Sequence, residues 1–247
     1  MYVVIIMRKP HLFIPCIVDQ LYPEAGIAAM RLLRALGCDP QYDPRQTCCG
    51  QPAFNAGYHE DARIVAERFV DIFNDADEIV SLSGSCATMV KVFYPQLDYP
   101  ETVRDSVRTV ASKTFEITDY IVNQLGITDT GGSYSGRVAY HDSCHIMREL
   151  HIVDEPRKLL RSVKGLELVE LDLADRCCGF GGLFATKFPD ISVAMGEDKL
   201  SSIQRAGADL VVGCDNSCLM HLQGLADKRG VNLKTKHIIE FLGELIQ

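Results

Sequence analysis

The chain is 247 residues long, 47% apolar and 23% charged, with a net charge of −8 and no Trp. That balance describes a globular chain with material for one large domain or two small ones. No segment approaches the ~18 consecutive apolar residues of a membrane span, and the acidic surplus leaves no basic patch for nucleic acid. Ten cysteines are the anomaly, and so many have to be explained by disulfides, metal or redox chemistry. The apolar opening from Met1 to Met7, cut off by Arg8 and Lys9, is too short for a secretory signal. The expected location is therefore the reducing cytoplasm, where ten cysteines argue for metal ligation or thiol chemistry and against a disulfide scaffold.

In chain order, His11 to Pro15 reads as a short strand ending at Cys16, and Ile27, Met30, Leu33 and Leu36 then recur at helical spacing. Val65, Phe69, Ile72 and Phe73 mark a second helix, and Glu78 to Leu82 is a buried strand that runs into a loop bearing Cys86. The acidic stretch from Asp71 to Glu78 reads as a solvated helix end. Turn residues cluster from Thr128 to Gly136, which predicts a linker. Beyond it, Arg137 to His141 is a strand just before Cys144, Asp209 to Gly213 a strand before Cys218, and Leu219, Leu222 and Leu225 a helix. Strand, loop and helix alternating in this way predict the α/β class with parallel sheets. In such sheets the loops at the carboxyl ends of the strands form the ligand crevice, and that is where these cysteines fall.

The cysteines also repeat. Cys16 recurs 128 residues later as Cys144, the triplet Cys48-Cys49-Gly50 recurs after 129 as Cys177-Cys178-Gly179, and Cys86 recurs after 132 as Cys218. The near-constant offset indicates an internal duplication. It predicts two homologous tandem modules, residues 1–130 and 136–247, each with a mostly parallel sheet flanked by helices.

Four thiols per half match the demand of an iron-sulfur cluster or a structural zinc. Zinc fingers and ferredoxins space their ligands two to four residues apart, whereas here single cysteines lie 30 or more residues from an adjacent pair. Adjacent side chains diverge and ligate one tetrahedral ion with difficulty, while a multinuclear cluster offers them separate atoms. The Gly after each pair allows close backbone approach and N–H groups aimed at sulfur.

This order, Cys, then Cys-Cys-Gly, then Cys, resembles the cysteine-rich (CCG) domain family, whose duplicated form occurs in the B subunit of heterodisulfide reductase and the iron-sulfur subunit of glycolate oxidase. The resemblance runs from about His11 to Leu245 and is carried by Pro15-Cys16-Ile17-Val18-Asp19, Cys48-Cys49-Gly50-Gln51-Pro52-Ala53, Ser83-Gly84-Ser85-Cys86-Ala87-Thr88-Met89, Cys177-Cys178-Gly179-Phe180-Gly181-Gly182 and Cys218-Leu219-Met220. Its lactate-oxidising members are the most similar. The resemblance implies an iron-sulfur electron-transfer subunit of a complex that oxidises L-lactate to pyruvate, an oxidoreductase working only with partners. Those partners would be other lactate utilization subunits, one of them a ferredoxin-like iron-sulfur protein. Carried over residue by residue, it assigns a cluster of 4Fe-4S type to Cys16, Cys48, Cys49 and Cys86, and a second to Cys144, Cys177, Cys178 and Cys218. The same clusters serving glycolate or a thiol-disulfide pair, and zinc in place of iron in a structural scaffold, are the alternatives.

The fuller family pattern closes each half with Cys-x-x-Cys. Here Met89 stands at the position of that fifth cysteine in the first half, and in the second half Cys214 precedes Cys218 by one residue too many. Cys214 is thus an accessory ligand or a buried thiol, and Cys38, without a counterpart, reads as structural. His141 and His145 flank Cys144, where each could bond a thiolate, relay a proton, ligate iron or make a local structural hydrogen bond. Phe13 and Ile17 occupy the matching places in the first half. His145 is kept as an accessory ligand, and His221 reads as helix surface.

Overall fold

The computed structural model describes residues 7–246. Among the described residues, eight strands form two four-stranded sheets. The first contains β1 (His11–Phe13), β2 (Gln41–Tyr42), β3 (Ile79–Ser81) and β4 (Thr114–Glu116) in the order β2-β1-β3-β4. The second contains β5 (Ser133–His141), β6 (Lys164–Val169), β7 (Leu210–Gly213) and β8 (Thr235–His237) in the order β6-β5-β7-β8. Every pairing is parallel, and the strand order of one half is the strand order of the other. The duplication is therefore structural, and the α/β reading with two tandem sheet-and-helix modules holds.

Strands of two to nine residues read in the sequence as short apolar runs because both faces are covered. Side chains alternate across each sheet: Leu12 and Val80, with Val138, Tyr140 and Val212 of the other half, point into one central core, while Phe13, Ile79, Ala139 and Val211 point to two outer cores. The central core is shared. Helix Pro23–Ala35 lies against helix Ile238–Leu245, and Ala25, Ala29, Leu32 and Leu33 are buried there. This shifts one expectation, since Ile27, placed on the apolar stripe by its spacing, is exposed. The helix turns its small residues inward because its partner approaches closely, with Gly243 packed on Ala28.

Strand β5 begins at Ser133, inside the turn-rich stretch read as a linker, and pairs from there with Lys164. The helix His59–Phe73 ends at Phe73, and the acidic stretch after it is only partly a solvated end, because Glu78 bonds Arg8 and the Tyr120 hydroxyl. Among the described residues no helix is long and apolar enough to cross a membrane.

Candidate metal centre

Each half brings its cysteines to the carboxyl edge of its sheet at the point where the strand order reverses, between β1 and β3 or between β5 and β7. Cys16 opens the helix Cys16–Leu21 that follows β1, and Cys144 opens Cys144–Arg148 after β5. Cys86 lies in the first turn of Gly84–Thr88 after β3, and Cys218 in the first turn of Asn216–Arg229 after β7. The adjacent pairs sit in the loops after β2 and β6.

Gly50 and Gly179 take positive φ, 80° and 93°. That turn aims each backbone N–H back at the first sulfur of its pair, 3.3 Å from Gly50 N to Cys48 Sγ and 3.3 Å from Gly179 N to Cys177 Sγ. A Cβ on Gly179 would stand 2.4 Å from the Ser192 carbonyl oxygen, so the conformation and the packing both require glycine.

The four thiols of each set form a chain of neighbours. In the first half Cys16 bonds Cys48, Cys48 bonds Cys49, and Cys49 Sγ lies 3.2 Å from Cys86 Sγ. The second half repeats this, Cys144 to Cys177, Cys177 to Cys178 and Cys178 to Cys218. Hydrogen bonds from Cys16 and Cys49, helped by the Gly50 N–H, hold the Cys48 thiol well below its ordinary range against the opposing effect of burial. Cys177 is lowered in the same way by Cys144, Cys178 and Gly179. Cys16 and Cys144 rise correspondingly, as donors to those thiolates and through burial. A thiolate at the centre of each set is what metal ligation needs. All ten cysteines are free thiols.

The two sets face each other. All eight cysteines line a single cavity of about 380 Å³ between the modules, together with Ser83, Ser85, Ser143, His145 and Asp215. Asp215, at the N-cap of the Cys218 helix, does not cap that helix but reaches into the other module. Its carboxylate accepts from Ser83 Oγ at 2.5 Å, from Ser85 Oγ at 3.0 Å and from Ser85 N at 3.2 Å, and from Ser143 Oγ. Ser83 occupies the equivalent N-cap and bonds Cys86 N of its own helix. Nothing in the spacing of the sequence signals that Asp215 crosses the module boundary; its place three residues before Cys218 reads only as a cap.

The accessory candidates divide. His145 lines the cavity, with its ring against Phe93. Cys214 does not line it; the thiol is buried 3.2 Å from the Tyr140 hydroxyl and beside Glu116, and burial pushes it up. Cys38 is buried in the central core. His221 is half-buried, within reach of Ser192 and tilted against Phe180. His141 lies fully inside, and a ring nitrogen, Cys178 Sγ and Cys218 Sγ are all within 4.8 Å of one another.

The description "Cysteine-rich domain" (CCG) matches the chain twice, over residues 11–91 and 138–223, the two segments that carry the two sets. The chain belongs to the cysteine-rich (CCG) domain family. Among curated relatives, the lactate utilization protein A of an Exiguobacterium species is 44% identical over 96% of this chain and 98% of its own. Those of Macrococcus caseolyticus and Bacillus subtilis are 44% and 42% identical, over 97% and 95% of this chain and 98% of each relative. A solved structure titled as a putative Asp/Glu racemase from Yersinia pestis covers 96% of both chains at a TM-score of 0.39 and 9% identity, too loose a likeness to bear on this site.

Proposed function

We propose that this CCG protein is an iron-sulfur electron-transfer subunit of a cytoplasmic complex oxidising L-lactate to pyruvate. In this reading Cys16, Cys48, Cys49 and Cys86 hold one cluster of 4Fe-4S type, and Cys144, Cys177, Cys178 and Cys218 hold a second. The single observation that carries it is the convergence of two four-thiol sets on one cavity. The relatives named lactate utilization protein A, similar along nearly the whole chain, support the substrate.

The donor set fits the group. Four sulfurs per half, one of them already favoured as thiolate, with a backbone N–H aimed at it, suit a thiolate-held cluster whose potential is set by hydrogen bonds and burial. A bound cluster supplies single-electron transfer. The protein's own share is to hold the sulfurs at the sheet edges, to supply N–H groups that favour added negative charge, and to fix the distance between the halves through the Asp215 bonds. Oxidising lactate to pyruvate releases two electrons and two protons, which makes a pair of one-electron sites a suitable relay toward partner subunits, one of them ferredoxin-like.

Protein purified without oxygen is expected to contain iron and acid-labile sulfide and to absorb broadly near ~400 nm, a band that dithionite bleaches. Stoichiometric zinc without colour would replace this reading with the structural-scaffold one. A deletion strain is expected to fail on lactate and to grow on glycolate, and normal growth on lactate would remove the substrate assignment.

A further inference from the structure

The two half-sites have equivalent sulfurs and unlike surroundings. Strand register pairs Phe13 with Ser81 in the first sheet and His141 with Gly213 in the second, so Phe13 and His141 are equivalent positions, each aimed outward behind the thiols. Helix His59–Phe73 and helix Pro189–Ala206 correspond through their contacts with the two turn glycines. Gly50 faces Ala62 and Val65, and Gly179 faces Ser192 and Met195, an offset of 130 residues that sets Lys199 where the first half has Phe69.

In the first half these positions form an apolar plug, Phe13 edge-on to Phe69 with ring centroids 4.8 Å apart. In the second half the same two positions are a histidine and a lysine. Both His141 nitrogens are buried and have no hydrogen-bond partner among the described residues, although the ring is within 4.8 Å of the Cys178 and Cys218 sulfurs. A buried polar group left without a partner is costly, which points to a hydrogen bond made once the neighbouring sulfurs are thiolates of a loaded site. Lys199 is fully buried, donates to the Leu173 and Ala174 carbonyls, and its charge acts on His141, Cys177 and Cys178. Phe180 N adds a further donor to Cys178 Sγ at 3.5 Å. Of the nearby anions, Asp142 is held by Arg157 through two bonds of 2.8 Å, Asp215 is held by its serines, and Asp175 is exposed to solvent.

We infer that His141 donates a ring N–H to the thiolate sulfurs of the second half-site and, with the Lys199 ammonium behind it, makes the second cluster the one reduced first. The inference rests on the cluster reading above. Donors and positive charge around sulfur stabilise the more negative, reduced state and raise the reduction potential, whereas phenylalanine side chains offer neither. Electrons arriving at the first half would then move downhill across the shared cavity to the second. His141 is in this sense a positioning and tuning residue.

The test uses the full chain loaded without oxygen, with iron and sulfide counted first; their absence from the wild type speaks against the cluster reading and leaves no bearing on His141. A redox titration followed by electron paramagnetic resonance is expected to show two steps. In H141F the upper step falls while the lower one stays, and in H141Q, which keeps an N–H donor, the upper step stays closer to the wild type. An H141F protein with full iron and both steps unmoved, or both moved equally, overturns the inference. Because H141F could load poorly, wild type grown with 15N-histidine gives a second readout. Weak histidine-nitrogen coupling on the cluster reduced first, retained in H145A, supports the hydrogen bond, and either no coupling or the strong coupling of a directly bonded nitrogen contradicts it.

Discussion

The two halves repeat each other in strand order, in the placement of four thiols and in the positive-φ glycine after each Cys-Cys pair, yet they differ in what stands behind those thiols. Phe13 and Phe69 back the first set, His141 and Lys199 the second. Their contacts with each other are unlike as well. Asp215 leaves its own helix uncapped to bond Ser83 and Ser85 of the first half, whereas the equivalent Ser83 caps its own helix through Cys86 N while donating to Asp215. At the ends of β4 and β8, Glu116 and His237 are equivalent by register. Glu116 caps its helix and lies against Cys214, and His237 caps its helix and meets the Leu82 carbonyl at 2.9 Å. The comparison teaches that a duplicated fold keeps what gathers the sulfurs and is free to change what stands behind them.

The sharpest way to break the comparison is to delete one half-site at a time. Cys49→Ser and Cys178→Ser each remove a buried, doubly bonded thiol at equivalent positions, and each is expected to cost about half the iron per chain, leaving the other half loaded. Loss of all iron from either variant would mean one shared site in place of two.

Gly84 shows how tightly the halves dock. A Cβ there would fall 1.8 Å from Ile146 Cγ1 of the other module, although the equivalent residue of the second half is Asn216. Gly84→Ala is therefore expected to lower stability by about 1–3 kcal/mol through overpacking, read as a fall in Tm. Asn216→Ala is expected to cost less, since Asn216 Oδ1 is buried without a partner among the described residues.

Glu116 and His237 should give opposite responses to pH. Burial raises the Glu116 carboxyl from 4.5 to about 7, so the folded protein keeps a proton that the unfolded chain has lost, and stability falls as pH rises through that window. Burial lowers His237 from 6.5 to about 4, so the unfolded chain takes up a proton that the folded protein refuses, and stability falls as pH drops through that window. Each ramp has a size of about 3 kcal/mol. Relative to the wild type, the Tm of Glu116→Gln is expected to climb between pH 4.5 and 7.5, and that of His237→Gln to climb as pH falls from 7 to 4. Equal slopes of the same sign would contradict the assignment. The smallest effect belongs to Cys38, which is buried away from the cavity: Cys38→Ala is expected to lose about 1 kcal/mol and no iron.

Much of this was legible in the sequence because a duplication measures itself. The offsets between Cys16 and Cys144 and between the two Cys-Cys-Gly triplets fix the modules, and strand-loop-helix alternation fixes parallel sheets. Ile27 was misplaced because periodicity reports an apolar stripe and is silent about a helix partner that selects Ala and Gly instead. Lys199 left no signal, since a lone lysine in a helix reads as solvent-facing until packing buries it. Cys214 could be a ligand or a core thiol by spacing alone, and only the position of the Tyr140 hydroxyl separates it from the cavity. The reach of Asp215 across the modules depends on docking, which pattern within one half does not encode.

The most direct test of the central claim is a count of iron and acid-labile sulfide per chain in protein purified and kept without oxygen. Two four-iron sites predict about eight of each. Zinc in stoichiometric amount with no sulfide would contradict it.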